Sequence, residues 1–435
     1  MDLPRFPVFA SDAMLPGLII AAVAIVHVFL AQFAVGGGIL VAFFEWRAEK
    51  RGHTLLRDFL HRFFTTLVLI SFVLGAVTGV GIWLVASWVA PRSLLLLVRE
   101  FHWIWAAEWC FFSLEVVCGY AYYVHGRTLG FKKRFFLVLG YAISAWMSLF
   151  WVNGILSFQL TPGGWTPEDP QVWSAFFNPT FWPSLVGRTV ASMSLAAIGA
   201  TLVAQFVRGY DENDQREVVR NAAVLLVPLV LMPIMAIWFL AVVPDESRRY
   251  VTGASVPMTM FFAMAALFSV LIAGTALFTL LKRRPLFHLP GTALLAVMAF
   301  CATTATEFVR EGIRKPYVIS NVLYSNAIAV DEVRRLQRRG IESLDPWPLR
   351  DADRYPTRKI RNGRMVYREL CASCHTPAAM NGLAHLTAAW DRDMLESNIQ
   401  KLHRLKTFMP PFAGDRDDLR NLVAYLVWLR EQEQE

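Results

Sequence analysis

Residues 24–40 read AIVHVFLAQFAVGGGIL, a stretch whose one titratable side chain is His27 and which holds a run of three glycines, Gly36, Gly37 and Gly38. It lies inside a longer apolar segment, 15–46, and a helix needs about 20 mostly apolar residues to cross a bilayer. The segment therefore reads as a membrane span. A histidine in hydrocarbon is costly and often functional, but taken alone it is as readily a hydrogen-bonded structural residue. The glycine run weakens a helix and in return lets a neighbour or a cofactor come close.

The rest of the chain extends this reading. Of 435 residues, 55% are hydrophobic, with 15 Trp and 32 Phe, a composition rare in soluble domains. Seven further apolar segments follow, at roughly 60–90, 100–124, 135–159, 184–206, 220–243, 255–281 and 289–309. The connecting segments alternate in charge. Those at 47–62, 125–134, 207–220 and 281–284 hold 15 Lys and Arg, and those at 1–14, 91–100, 159–187 and 244–255 hold 5. The positive-inside rule places the first set in the cytoplasm. An all-α membrane bundle of eight spans follows, with both termini outside. The net charge of +8 is thereby a matter of topology, and no nucleic-acid partner is expected. No cleavable leader is read, because the N-terminus lacks a basic region and the first span itself targets the chain.

Beyond Tyr317 the character changes. Residues 1–317 read as the membrane domain, and 318–354 as a charged linker with a short helix. Residues 355–435 read as a small all-α domain, whose closing helix carries Leu419, Leu422, Leu426 and Leu429 at helical spacing. This domain contains CASCH, residues 371–375, the C-x-x-C-H run that attaches a c-type haem. Cys371 and Cys374 bond to the haem vinyl groups, and His375 becomes an axial iron ligand. Because c-type haem is attached on the outer face of the membrane, the motif agrees with the topology from charge. Cys110, Cys118 and Cys301 fall in spans and read as packing residues.

The spans hold further costly groups. Glu108 and Glu115 lie seven residues apart in AAEWCFFSLE, on one helix face. Glu307 and Glu311 share another face, and Arg310 and Arg314 a third, at i,i+4 spacing. Each of these could be a neutral or salt-bridged structural group, but all sit on the side of the c haem.

The C-terminal 80 residues resemble a class I cytochrome c, which implies Met409 of FMPPFAG as the second axial ligand. His385 and His403 are read as surface residues. The membrane part resembles subunit I of the cytochrome bd oxidases, discontinuously over about 310 residues. HVFLAQFAVGGGILVAFFE is similar to that family's first-span histidine region, GAVTGVGIWL to its V-T-G motif and AAEWCFFSLE to its two glutamates. SLFWVNGILSFQLTP places Asn153 in a motif of the cofactor region, and EGIRKPYVISNVL places Glu311 and Arg314. The resemblance implies that His27 ligates the oxygen-reducing haem and Glu311 an adjacent high-spin b haem. It implies that Arg314 neutralises haem propionates and that Glu108 and Glu115 pass protons towards oxygen. One covalent haem c and at least one haem b are expected; the haem at His27 stands as either a d-type chlorin or a b haem.

Three departures from the family pattern stand out. The histidine of the low-spin b haem is replaced near Gly187 and Arg188, with Met258 or Met260 near the place of its other ligand. The long quinol-binding loop is reduced to VPDESRRYVTGA, so no quinol is expected. The arginine that precedes the first-span histidine is missing; Gly17 stands there. The chain is thus read as a membrane oxidoreductase of the bacterial inner membrane. It takes electrons from a periplasmic cytochrome through its own c haem to reduce O2 to water. A membrane partner like bd subunit II is implied by the resemblance. The rivals are a non-oxidase electron-transfer subunit of a larger respiratory complex, a reductase of another small molecule such as nitric oxide, and an anchor in which only the c domain works.

Overall fold

The computed structural model describes residues 4, 6, 9–282, 288–341 and 347–433. Residues 283–284 of the basic 281–284 turn and residues 342–346 of the 318–354 segment fall outside them. Seven helices are long and apolar enough to cross a membrane among the described residues. They are α1 (Pro16–Arg51), α2 (Thr54–Val89), α4 (Phe131–Phe158), α5 (Phe181–Phe206), α6 (Glu212–Val242), α7 (Val256–Leu281) and α8 (Leu289–Gly312). Between the second and fourth lies α3 (His102–His125), 24 residues and so about 36 Å long at 1.5 Å per residue.

Although outside those seven, α3 runs from one end of the bundle to the other. Its N-terminal end meets the 159–187 segment, where Phe101 stacks edge-on against Phe158, and Trp165 donates to neighbouring Glu100 at 3.1 Å. Its C-terminal end meets the far ends of α1 and α4, where Tyr122 donates to Glu45 at 2.8 Å and Arg134 binds the same carboxylate at 3.0 Å. Several helices also run further than their apolar cores. In α1 the last turns carry Arg47, Lys50 and Arg51, because a helix continues wherever water or a partner accepts its polar faces.

The glycine run does its work between helices. A methyl group on Gly36 would meet the Ser192 carbonyl of α5 at 1.8 Å, and one on Gly37 the Leu67 side chain of α2 at 2.4 Å. One on Gly38 would press on Tyr141 and Ala142 of α4 at 3.0 Å. The triplet therefore seats α1 against three neighbours, at the centre of a core that includes Phe44, Phe59, Phe63 and Phe64. Elsewhere Pro228 stands inside a 3-10 stretch of α6, Val224–Leu231, where a residue without N–H is tolerated by tighter winding.

All four connections with few basic residues gather at one end. Phe9 donates to the Trp88 carbonyl, and Asp12 pairs with Arg364 at 2.9 Å. Arg92 pairs with Glu332, Ser320 donates to the Gln159 carbonyl, and Tyr250 meets Thr407 at 3.1 Å. Arg364 and Thr407 belong to the C-terminal unit, so the chain enters and leaves the bundle at the same end.

The segment after α8 differs from a loose linker. Strands β1 (Tyr317–Ile319) and β2 (Leu323–Tyr324) pair antiparallel. Ile319, Val322, Leu323 and Ala329 pack with Leu96, Leu97 and Phe101 of the bundle. The short helix at Val333–Arg339 then delivers Leu336 to a small core with Ile341 and Ala413 of the C-terminal unit. That unit is built on α9 (Arg358–Leu370) and α10 (Arg416–Gln432), the latter opened by a capping box of Asp415 and Asp418. The four leucines of α10 are all buried, around Tyr367 and Leu395.

Candidate functional site

Helix α9 ends at Leu370, and the chain turns at once through CASCH. Cys371 still donates to the Tyr367 carbonyl, while Cys374 and His375 both donate to the Cys371 carbonyl at 3.1 and 2.9 Å. The His375 ring is held by its Nδ1, 3.0 Å from the Asn381 carbonyl. A carbonyl only accepts, so Nδ1 carries the proton and Nε2 keeps a free lone pair. Tyr367 fixes the backbone by donating to the His375 carbonyl at 2.6 Å, and Asn381 donates to that of Cys374 at 2.7 Å. Burial lowers the His375 pKa, opposed by the Asn381 carbonyl, so the ring is neutral near pH 7. Burial, with Cys374 beside it, raises the Cys371 thiol to about 12.

The methionine loop shares this core, since Cys371 and Phe412 pack around the same buried residues. His403, expected at the surface, is half-buried, and its Nδ1 donates to the Met409 carbonyl at 2.8 Å. It clamps the loop backbone beside the thioether. His385 is exposed as expected. A free imidazole Nε2, two cysteines in one turn and a clamped methionine suit a covalently attached haem.

In the bundle, His27 of α1 faces α2. Its Nδ1 lies 3.0 Å from Thr78 Oγ1, and Gly79 leaves room for the ring. Glu108 on α3 accepts from Ser148 of α4 at 2.6 Å. Glu115, two turns further along the helix, is buried. At the end of α8 each carboxylate reaches the arginine three residues on. Glu307 binds Arg310 at 2.8 Å, and Glu311 binds Arg314, with Lys315 at 3.5 Å. The expected i,i+4 faces thus resolve into i,i+3 pairs, which are equally neighbours on a helix. Arg314 also donates to Val318 and Gln159, yet its buried Nε has no partner among the described residues. A buried guanidinium N–H without an acceptor suits an anionic group such as a haem propionate.

Asn153 acts within the protein. Its amide donates to the Phe181 carbonyl, and its oxygen accepts from Ser184, both at 2.9 Å. It staples α4 to the start of α5, the helix that carries Gly187 and Arg188. Nothing lies within 4 Å of a methyl group built on Gly187.

A family model for cytochrome bd terminal oxidase subunit I matches residues 17–252. The chain belongs to that family. A second model, for subunit III of the cbb3-type cytochrome c oxidases, matches residues 358–426. Among solved structures, the bd oxidase from Geobacillus thermodenitrificans superposes with a TM-score of 0.62 at 16% identity. It covers 71% of this chain and 89% of its own, a likeness of fold. No curated protein sequence matches.

A bd subunit I membrane unit joined to a cytochrome c unit makes this an integral membrane oxidoreductase of electron transport. The two units imply a covalent haem c and b-type haem. Within that family frame Met258 and Met260 separate. Met258 is buried with its sulfur against the Gly312 backbone, whereas Met260 is exposed. The residues that sequence reading missed are Thr78, Ser148, Asn381, His403 and Tyr250. Thr78 and Ser148 do carry a signal, as hydroxyls within otherwise apolar runs.

Proposed function

We propose that this chain is the catalytic subunit of a cytochrome c-dependent, bd-type terminal oxidase. The haems, when bound, supply the redox chemistry, with O2 reduced to water at the haem held by His27. Cys371, Cys374, His375 and Met409 hold the haem that receives electrons, and Glu311 and Arg314 hold the next. Glu108 and Glu115 carry protons, with Ser148 steadying the first carboxylate. The basic connections lie in the cytoplasm and the c unit on the periplasmic face of the bacterial inner membrane. That unit meets a soluble cytochrome, and the bundle meets a membrane partner subunit.

The observation that carries this reading is the Tyr250–Thr407 contact of 3.1 Å. Thr407 lies two residues before Met409. Tyr250 belongs to the short connection that stands in place of a quinol loop, and it packs with Met258, Val309 and Ile313. Met258 lies against Gly312, so a packed path joins the methionine loop to the end of α8, the helix end that carries Glu311. At about a dozen residues, the α6–α7 connection is too short to enclose a quinol ring and accept its two protons.

The test is oxygen uptake by the purified protein with reduced cytochrome c, together with haem counting and carbon monoxide difference spectra. Uptake that carbon monoxide inhibits, and that His27→Ala abolishes with loss of a membrane haem, supports the oxidase. A protein that holds its haems and oxidises cytochrome only when another complex accepts the electrons is an electron-transfer subunit instead.

A further inference from the structure

The seven residues Leu69–Gly75 of α2 are wound as a π-helix, and ordinary α-winding resumes at Ala76. Such turns are rare and often mark functional sites. Three residues after this one, Thr78 points its hydroxyl towards α1. That hydroxyl has one proton and two lone pairs. The proton goes to the backbone of its own helix, since Oγ1 lies 2.7 Å from the Leu74 carbonyl and 3.1 Å from that of Gly75. What remains for His27 Nδ1 at 3.0 Å is a lone pair. Nδ1 must therefore carry the imidazole proton, and Nε2 is left bare on the opposite edge. Gly79 completes the seat: a methyl group there would sit 3.1 Å from the ring's Cε1 and push it away.

We infer that Thr78 is the positioning residue of the His27 site, fixing the tautomer and the ring plane so that Nε2 is presented to a porphyrin iron. The inference rests on the placement of a haem at His27. It assigns Thr78 and Gly79 a task distinct from ligation. Outer-shell acceptors of this kind orient a ligating histidine and raise its basicity, and losing one costs roughly 10–100-fold in metal affinity.

The test compares Thr78→Val, which keeps the shape and removes the acceptor, with Thr78→Ser, which restores it. The readouts are membrane-haem occupancy and the iron–histidine stretching band in resonance Raman spectra of the reduced protein. The expected result for Thr78→Val is a band shifted to lower frequency, or a haem occupancy about tenfold lower under dilution. Thr78→Ser should return both to wild-type values, with the c haem unaffected throughout. An unmoved band at full occupancy in Thr78→Val overturns this inference alone. Loss of the membrane haem in both variants also overturns it, because serine keeps the acceptor. Absence of the band from the wild-type protein, or its persistence in His27→Ala, overturns the placement of haem at His27 and this inference with it.

Discussion

Replacing both Cys371 and Cys374 with alanine should abolish covalent haem staining on a denaturing gel, while either replacement alone weakens it. Full staining of the double variant would refute the attachment site. Met409→Ala should leave the haem attached and lower its reduction potential, since a thioether opposite imidazole raises it; potentiometric titration measures this. In the bundle, Glu311→Ala should lose membrane haem and spare the c haem. Glu108→Gln should keep every haem and lose roughly 100-fold or more in turnover, because an amide accepts the Ser148 hydrogen bond but carries no proton. At this scale the sequence was legible wherever chemistry demands one residue type, as in CASCH. It was less legible where a residue acts through another. His403 looked like any surface histidine, and only the folded loop brings its ring to the Met409 carbonyl.

Between elements, the contacts concentrate in a few sites. Gly36→Ala would drive a methyl group into the Ser192 carbonyl, and overpacking of this kind costs about 1–3 kcal/mol. A lower thermal midpoint in detergent, with unchanged c-haem spectra, is the expected outcome. Arg92 and Glu332 form a buried pair with two short contacts, at 2.9 and 3.0 Å. Removing one partner of such a pair costs about 3–5 kcal/mol. Glu332→Ala should therefore loosen the segment between the units, and limited proteolysis would show it as new cleavage after Tyr324. The spans were legible from apolar length alone. The hairpin was not, because its apolar residues are few and sit beside a long charged run. Only the ledge of Leu96, Leu97 and Phe101 gives Ile319 and Leu323 somewhere to pack. A chain cut near Asn321 would lose half of that contact, so variants that remove the c haem by substitution leave the bundle better intact.

At the scale of the molecule, contacts that fix the c unit to the bundle among the described residues include Asp12 with Arg364, Tyr250 with Thr407, and the strap through Glu332. The charge alternation of the connections foretold that the chain's two ends share one end of the bundle. It could not foretell which connection the methionine loop touches, because that depends on how the strap folds. Lys401, Arg404 and Lys406 are exposed beside that loop, so an acidic donor is expected and its rate should fall as salt rises. The most direct test of the electron inlet is oxygen uptake with reduced cytochrome c and, separately, with a quinol, on the wild-type protein and on the Cys371→Ala/Cys374→Ala variant. The expected result is cytochrome-driven uptake that disappears in the variant while carbon monoxide still binds its membrane haem, with quinol inactive in both. Brisk quinol oxidation by the variant would contradict the account.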